Sequence, residues 1–399
     1  MFGRFGIFVY LCRKILKTVM IMKRFLPFVL LLVSLSSFGQ TKRTFSDVTA
    51  GSLPTLISDA EKYTIEELTI TGELNGTDFR LIREMAGNDY LGQPTNGVLK
   101  KLDISGTNIV AGGDMYLDAQ NMQIGSSTWS GSDYHKSTND NILGAFLFAG
   151  CKALEEIKLP STITTIEYNA FWYCTSLKGL EIPKSVRGIY SSAISDCTSL
   201  ESLVVESGNS NYKSDNCNAV ISGTTLLIGC KNTVIPDYIT EIGNNAFFGC
   251  SGFKGNNGTL TLPIGLKSIS AYGFADCSFS SIVLPNGLEK IDYSAFARNH
   301  ALTAITIPAS VTYIGRSILE DCTNLNSIVI ADGNTVYDSR DNCNAIIETA
   351  TNKLIEGFEN TVIPTTVTTI GEDAYYQCLL LKYFDSFCSF SSFGFLSIN

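Results

Sequence analysis

The chain has 399 residues, of which 45% are apolar and 17% charged, with a formal net charge of −9. That length suits one long repeat array or two to three compact domains, and the apolar share permits a large core. The acidic balance, with no Lys/Arg cluster beyond the N-terminus, excludes a protein built to grip nucleic-acid phosphates and gives no attraction to anionic lipid.

Met22-Lys23-Arg24 is a short basic start, 25–35 is an apolar run, and Ser37-Phe38-Gly39 sets small residues before Gln40. This order predicts a secretory signal over 1–39. The run falls short of the roughly 20 residues a bilayer span takes. Residues 1–21, with a second apolar patch at 5–11, read as an over-extended start; an uncleaved membrane anchor is the rival reading. Cys12 has no small residue before it, which disfavours a lipoprotein anchor.

Residues 40–142 are expected to form an N-terminal capping region. A helix is predicted over 53–63 and another over 77–86, started near Thr77 or Asp78. Ile65, Leu68 and Ile70, then Leu99, Leu102 and Ile104, alternate with polar neighbours as in a half-buried strand. Residues 111–142 are rich in Gly, Ser, Asn and Asp and read as a long surface loop.

From 143 to 378 a short unit recurs. Cys151, Cys174 and Cys197 are 23 residues apart, and Cys250, Cys277, Cys322 and Cys378 have the same surroundings, with Asn299 in the missing place. Seven of the ten prolines follow Leu or Ile in the same frame: Pro160, Pro183, Pro236, Pro263, Pro285, Pro308 and Pro364. A unit opens with a strand, as in Leu154-Glu155-Glu156-Ile157-Lys158-Leu159, and proline ends it because it cannot donate to the next ladder bond. A turn, two isoleucines, Ala170-Phe171 and Cys174 complete it. Two longer units match each other. Gly208-Asn209 parallels Gly333-Asn334, Asn216-Cys217-Asn218-Ala219 parallels Asn342-Cys343-Asn344-Ala345, and Thr233-Val234-Ile235-Pro236 parallels Thr361-Val362-Ile363-Pro364. A block of units was duplicated. One unit has about six apolar side chains to bury, at roughly 1.5–3 kcal/mol each. Ordering each of its residues costs on the order of 1–2 kcal/mol, so units persist only when stacked on a shared core. Residues 379–399 break the pattern and read as an aberrant or truncated tail.

The pattern Leu-x-x-Ile-x-Leu-Pro-x-x-Leu-x-x-Ile-x-x-x-Ala-Phe-x-x-Cys resembles the BspA-like bacterial leucine-rich repeat family over about 145–378. The resemblance implies an α/β repeat solenoid: right-handed, rich in parallel β-strand and closed by an N-terminal cap. It also implies an exported, surface-exposed protein that adheres to host matrix or serum proteins or to other cells.

Several chemistries compete with plain structure. Rungs about 4.8 Å apart hold equivalent β-carbons too far apart for the roughly 3.8 Å of a disulfide, so the repeated cysteines are expected to be buried thiols. Zinc needs paired short spacings, and there are none. Asp215-Asn216 and 338–342 offer oxygens for calcium but are also ordinary turn residues. His135 and His300 read as turn histidines, and Ser132-Asp133-His135 as a chance cluster. No cofactor, metal or catalytic site is expected. The expected ligand surface is the outward side of the strands: Glu155, Glu156, Lys158, Lys178, Glu181, Glu201 and Ser202 in the charged first units, then Ser281, Thr303, Thr306 and Asn326 in the neutral later ones. The function read from this is non-catalytic binding. A structural role in the cell envelope is the alternative, and a glycan-binding module or hydrolase is less favoured.

Overall fold

Apolar residues that alternate along each strand force one face inward, and the strands of successive units stack to share it. A computed structural model describes residues 41–375 except 125–126, 254 and 359. All described residues from Lys42 onward belong to one unit. The predicted signal segment, Cys378 and the tail lie outside the described residues.

The first elements are β1 (Lys42–Val48), α1 (Leu53–Leu56), β2 (Glu67–Leu74), α2 (Gly76–Met85), β3 (Lys101–Ile109), β4 (Gly112–Ile124) and β5 (Ser127–Thr138). The short units then alternate two strands each: β6 (Ile142–Leu143), β7 (Glu156–Lys158), β8 (Thr165–Ile166), β9 (Gly179–Ile182), β10 (Gly188–Ile189) and β11 (Ser202–Val205). Strands β1, β2, β3, β7, β9 and β11 form one parallel six-stranded sheet in that order. Leu68, Leu102, Ile157, Leu180 and Leu203 therefore line up as one buried column. On the other side β6, β8 and β10 stack in parallel. In each unit the carbonyl of the recurring proline closes a turn onto the residue three ahead, as from Pro160 to Ile163 (3.4 Å) and from Pro183 to Val186 (3.1 Å).

Next come the hairpin β12 (Ala219–Ser222) and β13 (Thr225–Gly229), then β14 (Glu241–Ile242), β15 (Thr259–Thr261), β16 (Ser268–Ile269), β17 (Ser281–Val283), β18 (Lys290–Ile291), β19 (Ala304–Ile307), β20 (Tyr313–Ile314) and β21 (Ser327–Ile330). A short β22 (Tyr337–Asp338) precedes a second hairpin, β23 (Ala345–Glu348) and β24 (Lys353–Gly357), and β25 (Thr369–Ile370) comes after it. The two hairpins are the cores of the two long units, and their registers coincide: Val220 opposes Ile228 as Ile346 opposes Glu356. Each is entered the same way. Asn209 and Asn334 donate from Nδ2 to two carbonyls of the preceding unit and accept the next turn's N–H groups at Oδ1. Ser214 and Ser339 take the N–H groups of Val205 and Ile330 that would have continued the sheet. Polar side chains thus end the parallel ladder without leaving orphan donors. The hairpins divide the buried core. Val220 and Ile228 face the core before them while Ala219 and Ile221 face the one after, as strand alternation requires.

Two expectations need correction. The first helix covers only Leu53–Leu56, not 53–63. Pro54 suits its start, but Ile57 is already extended, and the Glu61 carboxylate accepts from the Ser58 hydroxyl (3.0 Å), which favours a local turn. Residues 111–142 are not a loop. Strands β4 and β5 form a long antiparallel hairpin, pinned to α2 by Thr77 with Asp114 and by Arg80 Nε donating to Met115 O (2.6 Å). No apolar stripe marks this hairpin, so its polar composition hides it. His135 accordingly lies in a strand and pairs with Asp118, while His300 does lie in a turn.

The Ala-Phe side carries a second kind of ladder. Phe148 N donates to Ala170 O (2.8 Å), Phe171 to Ala193 (2.8 Å), Phe274 to Ala295 (2.9 Å) and Phe296 to Ile318 (2.9 Å). Every N–H points toward the next unit. This alternation needs two left-handed residues per unit, four apart: Asn169 and Tyr173, Ser192 and Asp196, Asn245 and Gly249, Tyr272 and Asp276, Ser294 and Arg298, Ser317 and Asp321. Asn, Asp and Gly fill half of these places because they tolerate positive φ best, and Ser fills three more. The repeated thiols join the same ladder. Cys174, Cys197, Cys277 and Cys322 each direct Sγ at the carbonyl of the phenylalanine-position residue one unit back, Phe148, Phe171, Phe247 and Phe296, at 3.1–3.4 Å. Asn299 does this with Nδ2 on Phe274 O (2.8 Å). Nine cysteines among the described residues are free and buried. Burial pushes the Cys151 thiol up to about 11 and Cys322 up to about 12, so these are inert core thiols.

Because all these N–H groups point forward, the carbonyls of the first unit have no preceding unit to satisfy them. With the Tyr116 hydroxyl on Ala145 O (2.8 Å), Arg83 of α2 fills that place. It is fully buried, and its guanidinium donates to Phe146 O (2.7 Å), Leu147 O (2.8 Å) and Asn88 Oδ1 (2.7 Å).

Candidate binding face

Outward strand positions on the six-stranded sheet form columns, one residue per rung. Immediately before the strands, Glu66, Lys100, Glu155, Lys178 and Glu201 succeed one another through backbone bonds from each rung to the next. Lys231, bonded to Leu200 O, extends the series. Their charges alternate, and they pair: Lys100 with Glu66 (2.8 Å), Lys178 with Glu155, Lys231 with Glu201 (2.5 Å). A second column runs Lys42, Glu67, Lys101, Glu156, with Glu67 bridging Lys101 (2.9 Å) and Lys42 (3.8 Å). In a third, Lys158 reaches Asp103 (3.2 Å). The hydrogen bond from Lys178 holds Glu155 below the usual carboxylate range, and that from Lys231 does the same to Glu201. These pairs are exposed, so they add little stability, and what they add is screened by salt. Their consequence is electrostatic: the charged half of the face neutralises itself. Replacing Glu155 and Lys178 together by Gln is expected to leave the urea midpoint unchanged within error, which an equilibrium titration checks.

Beyond β11 the face changes character. The column immediately before the strands becomes Gly258, Ser280, Thr303 and Asn326, and the first strand column becomes Thr259, Ser281, Ala304 and Ser327. The hydroxyls are engaged locally: Thr259 with Ser281 (2.8 Å), Ser280 on Gly258 O (3.1 Å), Thr303 on Ser280 O (3.3 Å). The third column is β-branched throughout. It begins at Val204, level with Glu181, and continues two residues before each proline with Val234, Thr261, Val283 and Thr306. Val329, level with Thr306, and Val362 extend it. These valines are exposed, from 41% at Val204 and 53% at Val283 to 72% at Val234 and Val362.

The structure thus joins the expected residues in two groups. Glu155, Glu156, Lys158, Lys178, Glu181, Glu201 and Ser202 lie on or beside the six-stranded sheet. Ser281 lies in the β15–β17 pair, and Thr303, Thr306 and Asn326 on or just before the β19–β21 pair. The first long unit interrupts strand pairing between the groups. Strand alternation does not reveal Val234 and Val362, because their segments lack it; their place two before a proline is the signal that finds them. The acidic turns hold protein partners: Asp215 pairs with Lys213 (2.8 Å), and Asp338 takes Arg340 in a two-pronged bond (2.5 and 2.7 Å). Among the described residues no group of three His, Cys, Asp or Glu side chains could hold a metal ion, and no helix is long and apolar enough to cross a membrane.

Solved structures similar to this chain are bacterial. The pneumococcal vaccine antigen PcpA shares 20% identity, with 74% of this chain and 73% of that one covered and a TM-score of 0.47. A leucine rich cell surface protein from Faecalibacterium prausnitzii shares 19%, covering 73% and 79% at 0.40. A leucine-rich repeat protein from Eubacterium ventriosum shares 17%, covering 84% and 76% at 0.41. No curated protein matches the chain. The profile of the BspA type leucine rich repeat region matches six copies, over 123–228, 227–344 and 344–395. Stacked parallel rungs, a recurring proline turn and a thiol ladder are what that repeat builds here, and the chain belongs to the BspA type leucine-rich repeat family.

Proposed function

We propose that the protein is an exported, non-catalytic binder that engages another protein at the cell surface through the outward face of its strands. The reading takes the repeats as a right-handed solenoid and residues 40–142 as its cap, with Arg83 closing the first open carbonyls. Support for export comes from the predicted signal at 1–39, and support for adhesion from the family. The observation that carries the reading is the exposed β-branched column from Val204 to Val362. Thr261 and Thr306 interleave the valines and the first long unit breaks the pairing, so the row is not one apolar patch. Its support is that the same outward place carries an exposed branched side chain unit after unit, which suits a partner lying along the face. Flanking columns are small and neutral, so a partner that buries this face brings few charges; a buried unpaired charge would cost several kcal/mol. The self-paired Glu and Lys columns at 155–201 then frame one end of the contact and contribute to orientation more than to affinity. Matrix or serum proteins and another cell's surface are the partner classes considered; an envelope scaffold with no specific ligand is the alternative.

The test is a solid-phase panel of matrix proteins, serum proteins and glycans. Val283→Glu with Val329→Glu is expected to weaken a retained protein ligand at least tenfold, whereas Glu155→Gln with Lys178→Gln changes it less than threefold. Both pairs should fold, since Glu181 already occupies the valine column in an earlier rung. Loss with the charge pair alone would move the site to 155–201, and a blank panel would favour the scaffold.

A further inference from the structure

The two long units are close copies, yet at one core position they differ in kind. Ile228, opposite Val220 in the first hairpin, packs into the core before it. Its counterpart opposite Ile346 is Glu356, which is only 5% exposed. One carboxyl oxygen, Oε1, accepts the Leu319 N–H of the preceding unit at 3.3 Å, and Oε2 has no partner. The charged groups that act on it are both acidic. Glu320 comes from the preceding unit's Ala-Phe side, where Asp321 and Cys322 also lie, and Asp373 comes from the unit beyond the hairpin. The nearby arginines are committed elsewhere: Arg298 faces Asp276 (3.5 Å) and Arg316 reaches Glu372 (3.1 Å) and Asp373 (3.8 Å). Tyr375 packs against Gly357, the residue after Glu356.

We infer that Glu356 is a proton-operated joint: the second long unit docks on the preceding repeat with this carboxyl neutral, and opening of the seam releases its proton. The first long unit, with Ile228, has no such dependence. Burial pushes the Glu356 carboxyl up to about 8, against about 4.3 for a carboxyl in water. The closed seam binds a proton that the opened one gives up, so closure is strongest below about pH 4. It weakens as pH rises toward 8 and levels off above that, where the closed form is ionised too. An exported protein with this joint holds 345–375 more tightly in acid than at neutral pH.

Hydrogen exchange on the full chain, corrected for intrinsic rates, tests this at pH 5 and pH 8. Protection of amides in 345–348 and 353–357 is expected to fall on the order of a hundredfold or more. Their counterparts in 219–222 and 225–229 serve as the internal control and stay within a few-fold. Glu356→Ile, which copies the first unit, and Glu356→Gln should both remove the pH response. A wild-type response equal in the two hairpins overturns the proposal, and so does a response that survives Glu356→Ile.

Discussion

Replacing Arg83 by Leu is expected to destabilise the protein by roughly 3–5 kcal/mol, the range for breaking a buried, hydrogen-bonded cation out of its partners. The loss is not one of hydrophobic contact, since Leu fills much of the same space. Leu147 O and Asn88 Oδ1 are left without donors in a buried region, and Phe146 O keeps only the Ala149 N–H (3.0 Å). Later units receive those donors from the unit before; the first unit receives them from side chains, Arg83 and the Tyr116 hydroxyl on Ala145 O (2.8 Å). Arg83→Lys should fall between, because an ammonium offers three donors where the guanidinium fork offers five. Urea titration measures both. A cost below about 1 kcal/mol for Arg83→Leu would mean that water or the rest of α2 reaches the carbonyls, and that Arg83 does not plug this end.

Asn299 offers the second large effect, with opposite outcomes for two replacements. Its Nδ2 donates to Phe274 O (2.8 Å) and Phe296 O (2.7 Å), and its Oδ1 takes the Cys277 N–H (3.2 Å). In other units cysteine stands here. Its thiol reaches the previous phenylalanine carbonyl, and its N–H bonds within its own turn, as Cys174 does to Phe171 O (3.1 Å). Asn299→Cys therefore restores the common pattern and is expected to cost about 1 kcal/mol or less, with Cys277 N–H turning to its own turn. Asn299→Leu leaves buried donors and acceptors bare and is expected to cost about 3 kcal/mol. Equal costs for Cys and Leu would show that the slot needs volume only. That result would return the thiols to the role of plain small hydrophobes.

The same ladder shows how a sequence reading can be right about a residue and incomplete about its work. Buried, unbridged thiols follow from the 23-residue spacing and rung geometry alone. Their hydrogen bonds do not, because the carbonyl each thiol meets belongs to the preceding unit and is turned toward it by two left-handed residues. The Asn, Asp and Ser residues at those places were visible as turn formers but gave no sign that they repeat at a fixed offset from Ala and Cys. The charged columns are similar. Glu155, Lys178 and Glu201 were legible as outward residues from their charge, not from strand alternation, because each lies just before its strand. Their pairing depends on which rung lies beside which, and rung neighbours are 23 residues apart in the chain.

Periodicity fixed what depends on repetition: parallel stacking, the inward Leu and Ile columns, the proline turns, the buried cysteines and the duplicated block. Each of these follows from local pattern plus the inability of a short unit to bury its own apolar face. Tertiary structure decided what depends on where the pattern stops. The polar hairpin at 112–138, the plug at Arg83, the serines that end the sheet at the long units and the lone carboxyl of Glu356 all meet open ends or seams. A boundary has no repeat to average over. Its backbone groups are satisfied by whatever side chain the fold carries there, and that is settled only by three-dimensional contact.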